Sequence, residues 1–310
     1  MLSRTASSLY WIGRHIERAD FTARLIDAGL KFDMLPFSES PSGIQSAFEA
    51  SGATLIYPGD KAKAKRKQII NFMCFDESNQ SSVISCFGKA RHDARAVRTA
   101  LTREVFEELN EAWLNFKKVQ NAVKNDDFGT FVSWVEDVVR GFEGALHRTM
   151  LRNECLWFIR LGAAVERADN TARLLDVKYH VLLPSKEHIG GPIDQAQWTT
   201  LLRSVSAETA YRWLYREGLV AWDVAELLIL KQEMPRSLAA CISEINLILS
   251  RLRSSNGRTG AADRKARAIE NKIKGTNINN IFQSGLHEFL VQFQIDNNSL
   301  GHSIAEQFLF

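Results

Sequence analysis

The sequence predicts an all-α protein, an antiparallel helical bundle with two pseudo-repeated core helices. Three observations predict it. Apolar residues recur at steps of three and four almost throughout, and no alternating, strand-like run is sustained. The six prolines, Pro36, Pro41, Pro58, Pro184, Pro192 and Pro235, fall where the helical pattern breaks. Residues 16–27, IERADFTARLID, return at 165–176 as VERADNTARLLD, and nine of the twelve positions are identical, far beyond chance.

The spacing predicts helices in order along the chain. The first covers 3–33 and carries the first repeat copy. Residues 34–60 hold three of the prolines and read as loop with room for one short helix. Helices follow at 61–73 and 81–99, the second opening at Ser81 after DESNQ. Thr102 followed by Glu104 opens 102–124, and 127–151 comes next. The second repeat copy lies on 153–183. Pro184 and Pro192 then mark a break, with a subdomain boundary near 184–193 inside a single 1–310 unit. Helices are expected at 194–204, at 206–216 opening on Ser206 with Glu208, and at 219–231. The next, 235–253, starts at Pro235; SSNGRTGAAD at 254–263 reads as a flexible linker; 260–273 and 278–308 complete the chain.

A hydrophobic fraction of 45% in 310 residues is enough for one large or two modest cores. Lys and Arg number 39 against 36 Asp and Glu, for a net charge of +3, so bulk nucleic-acid binding is not expected. Cys74, Cys86, Cys155 and Cys241 stand apart with no C-x-x-C spacing and read as core thiols of a reducing compartment. An amphipathic pattern begins at once, so no signal peptide is expected, and no apolar run reaches the ~18 residues of a membrane span. The expected location is cytoplasmic, with no membrane and no nucleic acid as partner.

The repeated helix has three stripes. Leu9, Ile12, Ile16, Ala19, Ala23, Ile26 and Leu30 form an apolar seam, matched by Phe158, Leu161, Val165, Ala168, Ala172, Leu175 and Tyr179. The alanines at its centre suit close helix approach. One residue further on, Gly13, Glu17, Asp20, Arg24 and Asp27 form a charged stripe, matched by Gly162, Glu166, Asp169, Arg173 and Asp176. Phe21, Leu25, Ala28 and Phe32 border it on the far side, matched in part by Leu174, Val177 and Val181. A charged stripe between two apolar ones is expected to be half-buried, and buried charges need partners. Asp20 with Arg24 and Asp169 with Arg173 stand at i,i+4, and Arg24 with Asp27 and Arg173 with Asp176 at i,i+3. Glu17 and Glu166 have no base four residues on, and Arg14, three before Glu17, maps to Ala163. Three readings stand open: a buried ion network docking the two copies, a site with Glu17 and Glu166 as acid/base or substrate-binding groups, and a metal site. Glu-x-x-Asp is spaced like the ligands of di-metal bundles. An Arg follows each Glu and no His completes the set, so no metal and no cofactor is expected. His15 and His180 are non-equivalent and read as surface or packed residues.

Arg91, Arg95 and Arg98, at i, i+4 and i+7, read as a solvated stripe or as a face toward the acidic stripes or an anionic ligand. Tyr211, Arg212, Tyr215 and Arg216 follow in AETAYRWLYREG, mostly as packing. Arg236, in the first turn after Pro235, opposes the helix dipole and so is expected to have a partner. Phosphate-binding G-x-x-x-x-G-K-[ST] and G-x-G-x-x-G loops and a G-x-S-x-G elbow are absent.

LYWIGRHIERADFTARLID and LWFIRLGAAVERADNTARLLDVKYHVLLP together resemble the bacterial alpha-E domain family, as do ARHDARAVRTALTREVFEELN, SAETAYRWLYREG and VAELLILKQEMPRSLAACI. The resemblance runs over essentially the whole chain. It implies an all-helical companion of a circularly permuted ATP-grasp ligase, with a transglutaminase-like peptidase as a further partner, in a system that forms and processes peptides or amides. The chain departs from the family's Ala-Arg-Glu-Asn-Ala-Arg pattern with His92 and Asp93 between Arg91 and Arg95. The first expectation is a helical partner or co-catalytic subunit of such a ligase, its Glu/Asp/Arg stripes lining a polar cleft for substrate or partner. The alternatives are a stand-alone enzyme using Glu17 or Glu166 as general base in amide formation or hydrolysis, and a purely structural bundle.

Overall fold

The computed structural model describes residues 1–34, 42–124, 127–181, 191–216, 218–257 and 259–310. Pro36, Pro41, Pro184, most of the expected boundary at 184–193, part of the 254–263 linker, and the side chains of Val177, Tyr179, His180 and Val181 lie outside the described residues. Fourteen α-helices and no strand are found among the described residues. They are α1 (Ser3–Asp33), α2 (Gly43–Ala50), α3 (Arg66–Cys74), α4 (Val83–Ala96), α5 (Arg103–Lys124), α6 (Phe128–Thr149) and α7 (Glu154–Val181). The second half holds α8 (Pro192–Ser204), α9 (Glu208–Leu214), α10 (Ala221–Ile229), α11 (Leu238–Asn256), α12 (Ala261–Lys274), α13 (Ile278–Ser284) and α14 (Leu286–Phe308). The chain is thus the all-α bundle its pattern predicts, and among the described residues no helix is long and apolar enough to cross a membrane.

Several boundaries move for local reasons. The cap of α4 is Ser82, not Ser81: the Ser82 hydroxyl accepts from the Ser85 amide at 3.3 Å. Ser206 caps nothing, since its φ of 56° places it in the left-handed region and α9 begins two residues later. Pro235 sits in the turn before α11, which Ser237 caps, so Arg236 precedes the helix and the dipole argument does not apply to it. The expected 278–308 helix breaks at Gly285, whose φ of 100° no helix accommodates, giving α13 and α14.

Neighbours such as α4 with α5, α5 with α6, and α12 with α14 pair as antiparallel hairpins. Thr102 at the head of α5 bonds Thr149 at the foot of α6 at 2.7 Å, for example. The repeat helices, half a chain apart, run in the same direction. Gly162 meets the backbone at Tyr10, and Asn170 Nδ2 reaches the Glu17 carbonyl at 3.5 Å, so contacts advance in step along both. A Cβ on Gly13 would overlap the Ile159 carbonyl, and one on Gly162 the Tyr10 carbonyl. This reciprocal glycine contact sets the close approach of α1 and α7. The described seam residues are buried, with Ala19, Ala23, Ala168 and Ala172 at 0% exposure. Burial of this seam is the main apolar stabilisation of the pair.

The duplication extends beyond the repeated helix. The turn from α3 into α4 and the turn from α10 into α11 have the same shape: the Asn79 amide bonds Asp76 O and the Ser82 amide bonds Asn79 O, as the Met234 amide bonds Lys231 O and the Ser237 amide bonds Met234 O. Ser82 thus matches Ser237, Cys86 matches Cys241, and Ser81 matches Arg236. α4 packs on α1 as α11 packs on α7; α5 packs on α4 as α12 packs on α11; α6 packs on α1 as α14 packs on α7. Two similar half-bundles meet across α1 and α7 about a pseudo-twofold axis. Cys74, Cys86 and Cys241 are buried free thiols, and burial pushes Cys86 and Cys241 each up to about 12.

Candidate functional site

The charged stripes of α1 and α7 face each other beside the glycine contact, and each half supplies the other's counter-ion. Arg18 of α1 grips Glu166 of α7, Nε to Oε1 at 2.6 Å and Nη2 to Oε2 at 3.0 Å. Arg167 of α7 returns the contact to Glu17 of α1, Nη2 to Oε2 at 2.7 Å. The two Glu-Arg dipeptides therefore lock reciprocally across the pseudo-twofold axis. Adjacent helical residues point about 100° apart, so each Glu and the Arg after it must find partners elsewhere.

A second arginine completes each carboxylate, from different sources. Arg14, whose counterpart is Ala163, reaches Glu166 Oε2 at 2.6 Å. Arg236, from the turn before α11, bridges two residues of α1: Nη1 to Glu17 Oε1 at 2.9 Å and Nη2 to Asp20 Oδ2 at 2.8 Å. Glu17 and Glu166 are 3% and 2% exposed. Burial pushes both carboxyls up, but the paired guanidinium groups outweigh it and hold both below their ordinary range, Glu166 at about 2. Carboxylates held in this way are ionised, almost fully buried and weakly basic. Glu17 and Glu166 also border different cavities, one between α1, α6 and α7, the other near the α3–α4 turn.

In the rest of the stripe the i,i+4 pairs form as expected and the i,i+3 pairs do not. Arg24 Nε meets Asp20 at 2.8 Å and Arg173 Nε meets Asp169 at 2.7 Å. With its guanidinium drawn back to Asp20 and across to Glu136 at 2.8 Å, Arg24 leaves Asp27 to Lys31. Asp176 likewise pairs with His287 Nδ1 at 2.6 Å and not with Arg173. Glu143 gives Arg167 a further carboxylate at 2.9 Å.

The other singled-out residues lie away from this network. Arg91 donates to Asn110 Oδ1 at 2.9 Å and, with exposed Arg95 and His92, lines a groove of about 800 Å³ between α4 and α5. Arg98 lies past the end of α4 and turns away, its guanidinium 4.5 Å from the Phe106 ring. The three do not share one face, nor do they meet the acidic stripes. Tyr211 braces the α9–α10 connection: its hydroxyl accepts from the Val220 amide at 3.0 Å and donates to Gly218 O at 3.3 Å. His15 is a packed residue, stacked on Trp11, and burial first, then nearby cations, push it down to about 3.

Arg18 and Arg167 are the functional residues that sequence reasoning overlooked. The available signal was the dipeptide itself, repeated with its Arg unchanged where flanking positions vary. No curated protein and no solved structure matches the chain. A family model described as a predicted alpha-helical domain with a conserved ER motif matches residues 1–309. The reciprocal Glu17-Arg18 and Glu166-Arg167 lock gives that motif a structural meaning, and the chain belongs to the Alpha-E family.

Proposed function

We propose that the chain is a non-catalytic helical partner of an ATP-grasp-type amide or peptide ligase in the cytoplasm, holding substrate against the ligase in a polar cleft beside the ER lock. The observation that carries this reading is the state of the two glutamates. Each is saturated by two arginines and depressed as a base, so the motif serves as scaffold and the bond-forming chemistry falls to another chain. Two surface features support a partner. Leu55 and Ile56, 87% and 56% exposed, rim the cavity that opens on Glu166. Trp213, on α9, is 79% exposed beside exposed Leu214, whereas Trp198 is buried and Trp222 stacks on Phe282 with ring centroids 4.0 Å apart.

The test is co-purification of the full chain with a circularly permuted ATP-grasp ligase, paired with ATP titration of the chain alone. A complex weakened by Trp213→Ala, with no nucleotide binding by the isolated chain, is expected. Tight ATP binding by this chain alone, or ligase activity unaffected by its removal, overturns the reading.

A further inference from the structure

The two halves of the junction differ at the turn beside each aspartate. Around Asp20, Arg236 fills the space beside the carboxylate and bonds its Oδ2. The matching turn position in the other half is Ser81, whose side chain is too short to reach across. It meets only Arg18 Nη1, at 3.4 Å. A cavity of about 270 Å³ remains there, lined among others by Arg18, Ser81, Asn79, Glu166, Asp169 and Arg173. Asp169 is 7% exposed, and its Oδ1, the counterpart of the oxygen that Arg236 satisfies on Asp20, has no partner among the described residues. A buried acceptor of this kind is destabilising unless a donor meets it.

The donor that completes the site is not a bare cation. On the Asp20 side, Arg24, Arg167 and Arg236 are outnumbered by Glu17, Asp20, Glu136 and Glu143, an excess of one negative charge. On the Asp169 side, Arg14, Arg18 and Arg173 face only Glu166 and Asp169 among the described residues, an excess of one positive charge. Arg18 and Arg173 line the cavity with side chains 24% and 27% exposed. The missing ligand must donate to Asp169 and also bring negative charge to the two guanidinium groups, which favour carboxylates.

We propose that this cavity binds a free acidic α-amino acid, its ammonium on Asp169 Oδ1 and its carboxylates on Arg18 and Arg173. The inference rests on the substrate-holding role proposed above and names the substrate class. Its size suits such a ligand, at the small end of binding pockets. The ammonium supplies the bonds that Arg236 supplies in the twin, and a net charge of one negative neutralises the local excess.

Calorimetric titration of the full chain with L-glutamate, glutarate, L-alanine and L-lysine tests this without the ligase. L-glutamate is expected to bind tightest, at least tenfold better than glutarate, which lacks the ammonium, and better than L-alanine; L-lysine is expected to bind worst. In Asp169→Asn the advantage of glutamate over glutarate should collapse. Ser81→Arg, which installs the twin's arginine, should abolish glutamate binding. The inference is overturned if no amino acid binds, if L-lysine matches L-glutamate, or if Asp169→Asn retains the preference for glutamate. A chain that binds none of them yet co-purifies with the ligase overturns this inference and leaves the partner role standing.

Discussion

Around Asp20 the junction of α1 and α7 is filled: Arg236 enters from the α10–α11 turn and spans Glu17 and Asp20. Around Asp169, framed by the same helices and an equivalent turn, Ser81 stops short and a cavity stands in place of a guanidinium. The backbone is duplicated, the glutamates are duplicated and the arginines that follow them are duplicated. What differs is the second arginine on each glutamate: Arg14, matched by Ala163, closes Glu166, and Arg236 on a turn, matched by Ser81, closes Glu17 and Asp20. A twofold scaffold can hold itself together and still keep one half open, because the reciprocal lock closes both glutamates while only Asp20 receives a second arginine.

The comparison can be broken most forcefully at that closing arginine. Arg236→Ala leaves Glu17 short of one counter-ion and Asp20 Oδ2 bare at 0% exposure, and should cost about 3–5 kcal/mol. Ser81→Ala at the matching position should change stability by less than about 0.5 kcal/mol. Chemical denaturation of the two variants makes the contrast; similar losses would erase the distinction between halves. The glycine contact should instead behave symmetrically. Gly13→Ala and Gly162→Ala each force a methyl into backbone that cannot step aside, with an expected loss near the top of the overpacking range, about 3 kcal/mol each.

Acid should act on the lock in two stages. His15, pushed down to about 3 by burial, stays neutral in the folded chain, while the unfolded chain protonates it below its ordinary 6.5. Its contribution is therefore present above 6.5 and lost as pH falls, by about 1.4 kcal/mol per pH unit. Glu17 and Glu166 are depressed carboxyls, so their contribution is present above the ordinary 4.5 and is lost as pH falls, for Glu166 toward about 2. Stability measured from pH 8 downward should be flat in these groups to 6.5, slope gently to 4.5 and steepen below it. In His15→Phe the upper slope should vanish and the lower one remain. A small effect is also expected of Asp169→Asn in the empty chain. The carboxamide oxygen keeps a hydrogen bond to Arg173 and the partnerless carboxylate oxygen is removed, so stability should move by less than about 1 kcal/mol.

The scaffold was readable from the sequence because its evidence is local. Seam periodicity placed α1 and α7, and the i,i+4 rule placed Asp20 on Arg24 and Asp169 on Arg173. The reciprocal lock was hidden because Arg18 and Arg167 stand next to the wrong glutamates in sequence: each partner lies on the other repeat, and only three-dimensional pairing brings them together. The second duplication, of the turns before α4 and α11, was hidden by divergence. Ser82 with Ser237 and Cys86 with Cys241 are its conspicuous identities, while the functionally distinct pair, Ser81 and Arg236, differs in size and charge. Gly285 breaks a helix that its flanking apolar pattern would have continued, since its effect lies in a backbone angle and not in periodicity.

The central claim is that the two Glu-Arg motifs stabilise each other across the pseudo-twofold axis. Double-mutant cycles on unfolding free energy test it most directly, using Glu→Gln and Arg→Gln at residues 17, 18, 166 and 167. The account predicts coupling of about 2 kcal/mol or more for Arg18 with Glu166 and for Arg167 with Glu17, and well under about 1 kcal/mol for the sequence neighbours Glu17 with Arg18 and Glu166 with Arg167. Coupling concentrated within each dipeptide and absent between the helices would contradict it.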